Sequence, residues 1–211
     1  MNPRPALALT AVLAAVVVAG CGGTENGSPT TAPPTTSAGA PPSPGGSNGS
    51  GTQRPGEIDL AGADPCAAVT EQQAAAWAVD RAPIAKQMGA STAIAGAPSC
   101  VFGSSAEQTT FLIATSGDVG LPDFVEATPP SPTREEVEVD GFPAVVQEGV
   151  TSAPERGSGE CYAVVDVADG QLLLVQFSQV AAGADKRLPL DSLCAKAREV
   201  AAAALTTLQG G

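Results

Sequence analysis

Towards the C-terminus, apolar positions recur at steps of three and four: Leu193, Ala197, Val200, Ala204 and Leu208. That period sets them on one stripe of a helix facing a core, with Asp191 as its expected cap and Gly210 as its stop. A second helix is predicted at the start of the folded part. There Asp64-Pro65-Cys66 offers a capping Asp and a Pro suited to the first helical position, and Thr70 with Gln73 forms a capping box opening an Ala-rich run through Ala78. Between the helices the period falls to two. Residues 109–115 form a β-branched and aromatic run. Two hairpins follow, 135–139 turning at Asp140-Gly141 into 142–147, and 161–168 turning at Asp169-Gly170 into 171–178. Asp-Gly in a two-residue loop signals a type I′ turn, whose central residues both need positive φ.

With that turn in the second hairpin, Val165 opposes Leu174 and Val167 opposes Leu172 on the Cys161 side. Tyr162 then opposes Phe177, and Val164 opposes Val175, on the other. Both sides are apolar, whereas a strand pair wet on one side alternates, so a further element, a ligand or a partner must cover the second side. Tyr162, Val164, Val175 and Phe177 are therefore the candidate binding face. Residues 82–99 and the Pro-rich stretch 122–132 read as long loops. The pattern as a whole predicts an α+β domain over residues 58–211: an antiparallel β-sheet with N-terminal and C-terminal helices packed on it.

The first 57 residues fit no such fold. Residues 1–20 carry Arg4 and then an apolar run too short for a comfortable bilayer span, which reads as a secretory signal. It ends in Val18-Ala19-Gly20-Cys21, which resembles a bacterial lipobox, and a lipobox implies that Cys21 is acylated and becomes the first mature residue. Several acyl chains on one residue anchor stably where a single chain does not. From there to residue 57 the chain is mostly Gly, Pro, Thr and Ser and cannot bury enough surface to offset ordering entropy, so 21–57 reads as the lipidated Cys and a tether. The expected location is the extracytoplasmic face of a cell membrane.

An oxidising exterior changes how the cysteines are read. Cys66, Cys100, Cys161 and Cys194 make an even set inside the domain, and four cysteines allow three pairings. Cys66 with Cys100 and Cys161 with Cys194 close short loops, each joining a predicted helix to a predicted strand. A metal site lacks Cys-x-x-Cys spacing and His partners.

Charge and composition then narrow the function. There are 22 Asp plus Glu against 10 Lys plus Arg, a net charge of −12, and no His. Nucleic acid needs a basic surface, and His-dependent triads and metal sites are excluded outright. No Ser-x-x-Lys or Gly-rich phosphate loop occurs, so no catalytic residue, metal or cofactor is assigned. The carboxylates Glu135, Glu136, Glu138 and Asp140 cluster, and Asp166 and Asp169 flank the second turn. The cluster alone motivates an alternative reading as a carboxylate-based envelope hydrolase, although alternation puts Glu136 and Glu138 on one strand face and Glu135 on the other, as in a solvated hairpin. Trp77, on an Ala-rich helix, reads as a core plug.

Asp64-Pro65-Cys66-Ala67-Ala68-Val69-Thr70, Cys100-Val101-Phe102, Val139-Asp140-Gly141-Phe142-Pro143-Ala144, Cys161 heading a strand and Leu193-Cys194 opening an Ala-rich helix together resemble an actinobacterial lipoprotein family, domain of unknown function 3558. The resemblance implies a cell-envelope location and brings no catalytic residues. The expectation is thus a membrane-anchored, non-catalytic module that binds an apolar ligand or an envelope protein, with an accessory subunit of an envelope complex as a further alternative.

Overall fold

The computed structural model describes residues 53–149, 159–179 and 187–210. Signal, Cys21 and most of the expected tether lie outside the described residues. Seven strands form one sheet: β1 (Ile84–Gln87), β2 (Pro98–Ser104), β3 (Thr109–Ser116), β4 (Glu135–Val139), β5 (Phe142–Glu148), β6 (Gly159–Ala168) and β7 (Gln171–Gln179). Their order is β1-β2-β3-β7-β6-β5-β4, and every neighbouring pair is antiparallel. Among the described residues three helices join them: α1 (Glu71–Ala76), α2 (Leu121–Ala127) and α3 (Leu190–Gln209).

The apolar stripe of α3 lies on one face of the sheet. Leu193, Ala197, Val200, Ala201, Ala204 and Leu205 are buried there against Phe102, Phe111, Ala163, Val165, Val175 and Phe177. Small Ala residues at this contact let the helix approach the strands closely. Phe102, Phe111 and Phe177 stack in succession across β2, β3 and β7, and the edge of Trp77 meets Phe111 at a centroid distance of 5.4 Å. Trp77 is thus a core plug whose indole nitrogen still finds a partner, donating to Glu199 at 2.8 Å.

Both disulfides secure this face. Cys66–Cys100 ties the turn before α1 to β2, and Cys161–Cys194 ties β6 to α3, with Cα separations of 5.1 and 5.0 Å. The expected pairing is the one observed.

Several expectations change. The first helix does not begin at Asp64. The Asp64 carboxylate instead accepts the Cys66 amide in a local turn, and the helix starts only after Thr70, where the capping box with Gln73 forms. That helix is docked on α3 rather than laid along the sheet, since Gln73 donates to the Ala203 carbonyl and accepts from Thr207. Pro189, not Asp191, occupies the N-cap of α3, and Asp191 sits in its first turn. The two expected loops contain structure: 82–99 holds β1 and the start of β2, and 122–132 holds most of α2, with Pro122 in the first turn where its missing N–H costs nothing.

The two Asp-Gly turns also differ. Asp140 and Gly141 have φ of 50° and 80°, as a type I′ turn requires, but at the second turn only Gly170 is positive, at 69°. Next to it, β6 carries one extra residue: Asp166 pairs with Leu172 while Ala168 pairs with Gln171, leaving Val167 as a bulge. A one-residue slip changes the partner of every residue beyond it. Tyr162 therefore faces Gln176, Val164 faces Leu174, and Cys161 faces Phe177.

Candidate functional site

The bulge redraws the candidate binding face. Val175 and Phe177 are 0% and 3% exposed and belong to the core beneath α3, so they cannot form one surface with Tyr162 and Val164. The sheet face away from α3 is made instead of Tyr162, Val164, Leu172 and Leu174, with Ala114 and Leu112 beside them. That face is apolar, and it is covered by the two stretches expected to be loops. Ile94, Met88 and Ala93 come from the segment between β1 and β2, and Phe124 comes from α2.

The cover is incomplete. Between the 88–94 segment and the 124–132 stretch lies a cavity of about 560 Å³, floored by Tyr162, Leu174, Gln176 and Gln147. Its walls are mostly apolar, with Met88, Ile94, Phe124 and the Pro129–Pro130 pair among them. Volume and lining both match small-molecule sites, which run from about 300 to 1,000 Å³.

Four polar side chains give the floor its chemistry. The Tyr162 hydroxyl donates to Glu160 Oε1 at 3.2 Å, and Gln176 Nε2 donates to Glu160 Oε2 at 2.7 Å and to Ser178 Oγ at 3.3 Å. Burial, and then the Glu160 charge, raise the Tyr162 phenol above its usual value, so it stays protonated at any physiological pH. Gln147 accepts from Arg134 Nε at 2.7 Å. The same guanidinium donates to the Pro129 carbonyl at 3.0 Å and, at longer range, to the Val125 and Thr128 carbonyls. Arg134 thereby braces the Pro-rich wall to the floor. Sequence reasoning missed it, although two Gln residues set within apolar strands, Gln147 and Gln176, were a readable sign of buried polar partners.

The acidic residues are placed otherwise. Glu135, Glu136 and Glu138 stand exposed on β4, an edge strand, where charge discourages further strand pairing. Asp166 and Asp169 hold Arg54: its guanidinium meets Asp166 at 2.9 Å and also pairs with Asp169. Among the described residues, Arg54 thus already contacts the sheet, and the Ile58 amide follows on the Val167 carbonyl at the bulge. Among the described residues no group of three or more metal-ligating side chains gathers, and no helix is long and apolar enough to cross a membrane.

The Asp-Pro-Cys turn, the two helix-to-strand disulfides and the Ala-rich final helix now stand as one framework. A family model described as "Protein of unknown function (DUF3558)" matches residues 16–207. The chain belongs to that family. The DUF3558 match takes in all seven strands, both disulfides and all but the last two residues of α3. No curated protein and no solved structure matches the chain. The DUF3558 description names no ligand or reaction, so the chemistry of the site rests on the cavity itself.

Proposed function

We propose that this member of DUF3558 is an exported lipoprotein, acylated at Cys21 and held on the outer face of a cell membrane, that binds a small apolar ligand without transforming it. One observation carries the binding reading: the cavity of about 560 Å³ on the sheet face that α3 leaves free. An apolar chamber over an apolar floor favours removal of hydrocarbon from water, at roughly 25 cal/mol per Å² buried. The anchoring half of the proposal is supported by the Gly20-Cys21 junction after the apolar run and by the Gly- and Pro-rich chain that follows. The hydrolase alternative loses support because Glu136 and Glu138 stand exposed on the edge strand β4, away from the cavity.

Native mass spectrometry of the protein extracted from its own membrane tests both halves. The mature chain is expected to begin at an acylated Cys21 and to carry a small molecule that the Ala93→Trp variant, whose indole would fill the cavity, lacks. Unmodified Cys21 would overturn the anchoring. Equal ligand on wild type and Ala93→Trp would overturn the site, and a stoichiometric protein partner in its place would favour the accessory-subunit reading.

A further inference from the structure

The hydrogen-bonding state of the cavity floor narrows the class of ligand, given that the cavity is a binding site as proposed above. A phenol has one proton, and that of Tyr162 is committed to Glu160, which leaves its oxygen only as an acceptor towards the cavity. The Gln176 amide has two N–H groups, and both are committed, to Glu160 and to Ser178, which leaves only its carbonyl oxygen. Glu160 is itself fixed: the Gly149 backbone lies so close that a Cβ there would sit 2.2 Å from the Glu160 side chain. Thr92 in the wall donates to the Gly89 carbonyl and likewise retains only acceptor capacity. Gln147 keeps its amide nitrogen as a donor, since its oxygen accepts from Arg134. None of the described residues lining the cavity is Lys or Arg. Arg134, the nearby cation, is spent on Gln147 and three carbonyls.

We infer that the ligand is an apolar chain ending in a hydrogen-bond donor, a hydroxyl or an ammonium, and that carboxylate-ended chains are rejected, because Glu160 turns Tyr162 and Gln176 into acceptors. A carboxylate accepts only, so beyond the bond it could take from Gln147 it would face two acceptor oxygens backed by a negative charge. A hydroxyl donates to one of these oxygens and accepts from Gln147. An ammonium donates to both.

Calorimetric titration of the full-length Cys21→Ser chain with decanol, decylammonium and decanoate, each below its aggregation concentration, tests the assignment. Decanol and decylammonium are expected to bind at one site per chain, at least about tenfold more tightly than decanoate, the scale of one net hydrogen bond gained or lost. Propylammonium at the same ionic strength separates site binding from attraction to the acidic surface and is expected to give no saturable heat. Glu160→Gln, isosteric with the wild type, is expected to bring decanoate within about threefold of decanol, because the negative charge is gone and the amide nitrogen can donate to Tyr162 or Gln176, reversing one of the two bonds and freeing an N–H or O–H for the ligand. Ala127→Trp, on the exposed end of α2, is expected to abolish binding of every probe. Decanoate binding as tightly as decanol, or an unchanged preference in Glu160→Gln, would overturn the donor-end assignment and leave the binding module standing. Failure of all three ten-carbon probes to bind would overturn both.

Discussion

Two aspartates show how position decides the sign of a carboxylate's contribution. Asp166 is raised above its ordinary value, first by burial, with Arg54 opposing. A raised folded-state value means stability that is present below the unfolded value of 3.8 and is lost as pH rises through the folded one. Asp80 is lowered, chiefly by accepting the Ser105 backbone amide, so its contribution is present above 3.8 and is lost as pH falls. Urea midpoints measured from pH 3 to pH 7 should therefore separate the two. Asp166→Asn is expected to gain on the wild type as pH rises, and Asp80→Asn to fall behind over the same interval. Parallel curves for the two variants would contradict the assignment. A composition count weighs both as one negative charge, and only their neighbours tell them apart.

At the scale of elements, α2 and the chain after it form a wall that Arg134 ties together. Arg134 reaches three carbonyls in 125–129 and the Gln147 side chain on β5. Arg134→Ala should cost about 1.5 kcal/mol of stability, the low end for hydrogen bonds to a charged group, and should raise hydrogen exchange in 121–130 while leaving α3 protected. It should also weaken ligand binding more than it weakens the fold. What was legible in advance follows the same division. The stripe of α3, the Asp140-Gly141 turn and the helix-to-strand disulfides rest on local periods and spacings, which neighbours on the chain determine. The Val167 bulge does not, because Asp169-Gly170 carries a type I′ signal that only Gly170 obeys. Hence Tyr162 and Val164 belonged to the candidate face and Val175 and Phe177 did not. β1 was missed since it is short and exposed throughout, and α2 because its Pro122 and the following prolines resemble loop. The need for a cover on the second sheet face was readable. The identity of that cover required long-range packing.

Across the whole molecule, the crosslinks and the cavity occupy opposite faces of the sheet. Cys100 and Cys161 both point to the α3 side, and each disulfide closes a separation of 34 or 33 residues. Loop-closure entropy assigns each about 4 kcal/mol. Replacing Cys161 and Cys194 together by Ala should lower the unfolding free energy by about that amount in denaturant titrations, while ligand affinity well below the transition stays within about twofold because Tyr162 and Leu174 of the cavity floor pack on the sheet face away from α3. The N-terminal approach adds a mechanical consequence. Arg54 and Ile58 grip the sheet at Asp166, Val167 and Asp169, whereas the cavity floor takes Tyr162 from nearer the other end of that strand, roughly 13 to 23 Å away at strand rise. Were the protein anchored as proposed, a pull on the chain ahead of Arg54 would be borne at the hairpin tip, and Arg54 would peel free before the chamber distorted.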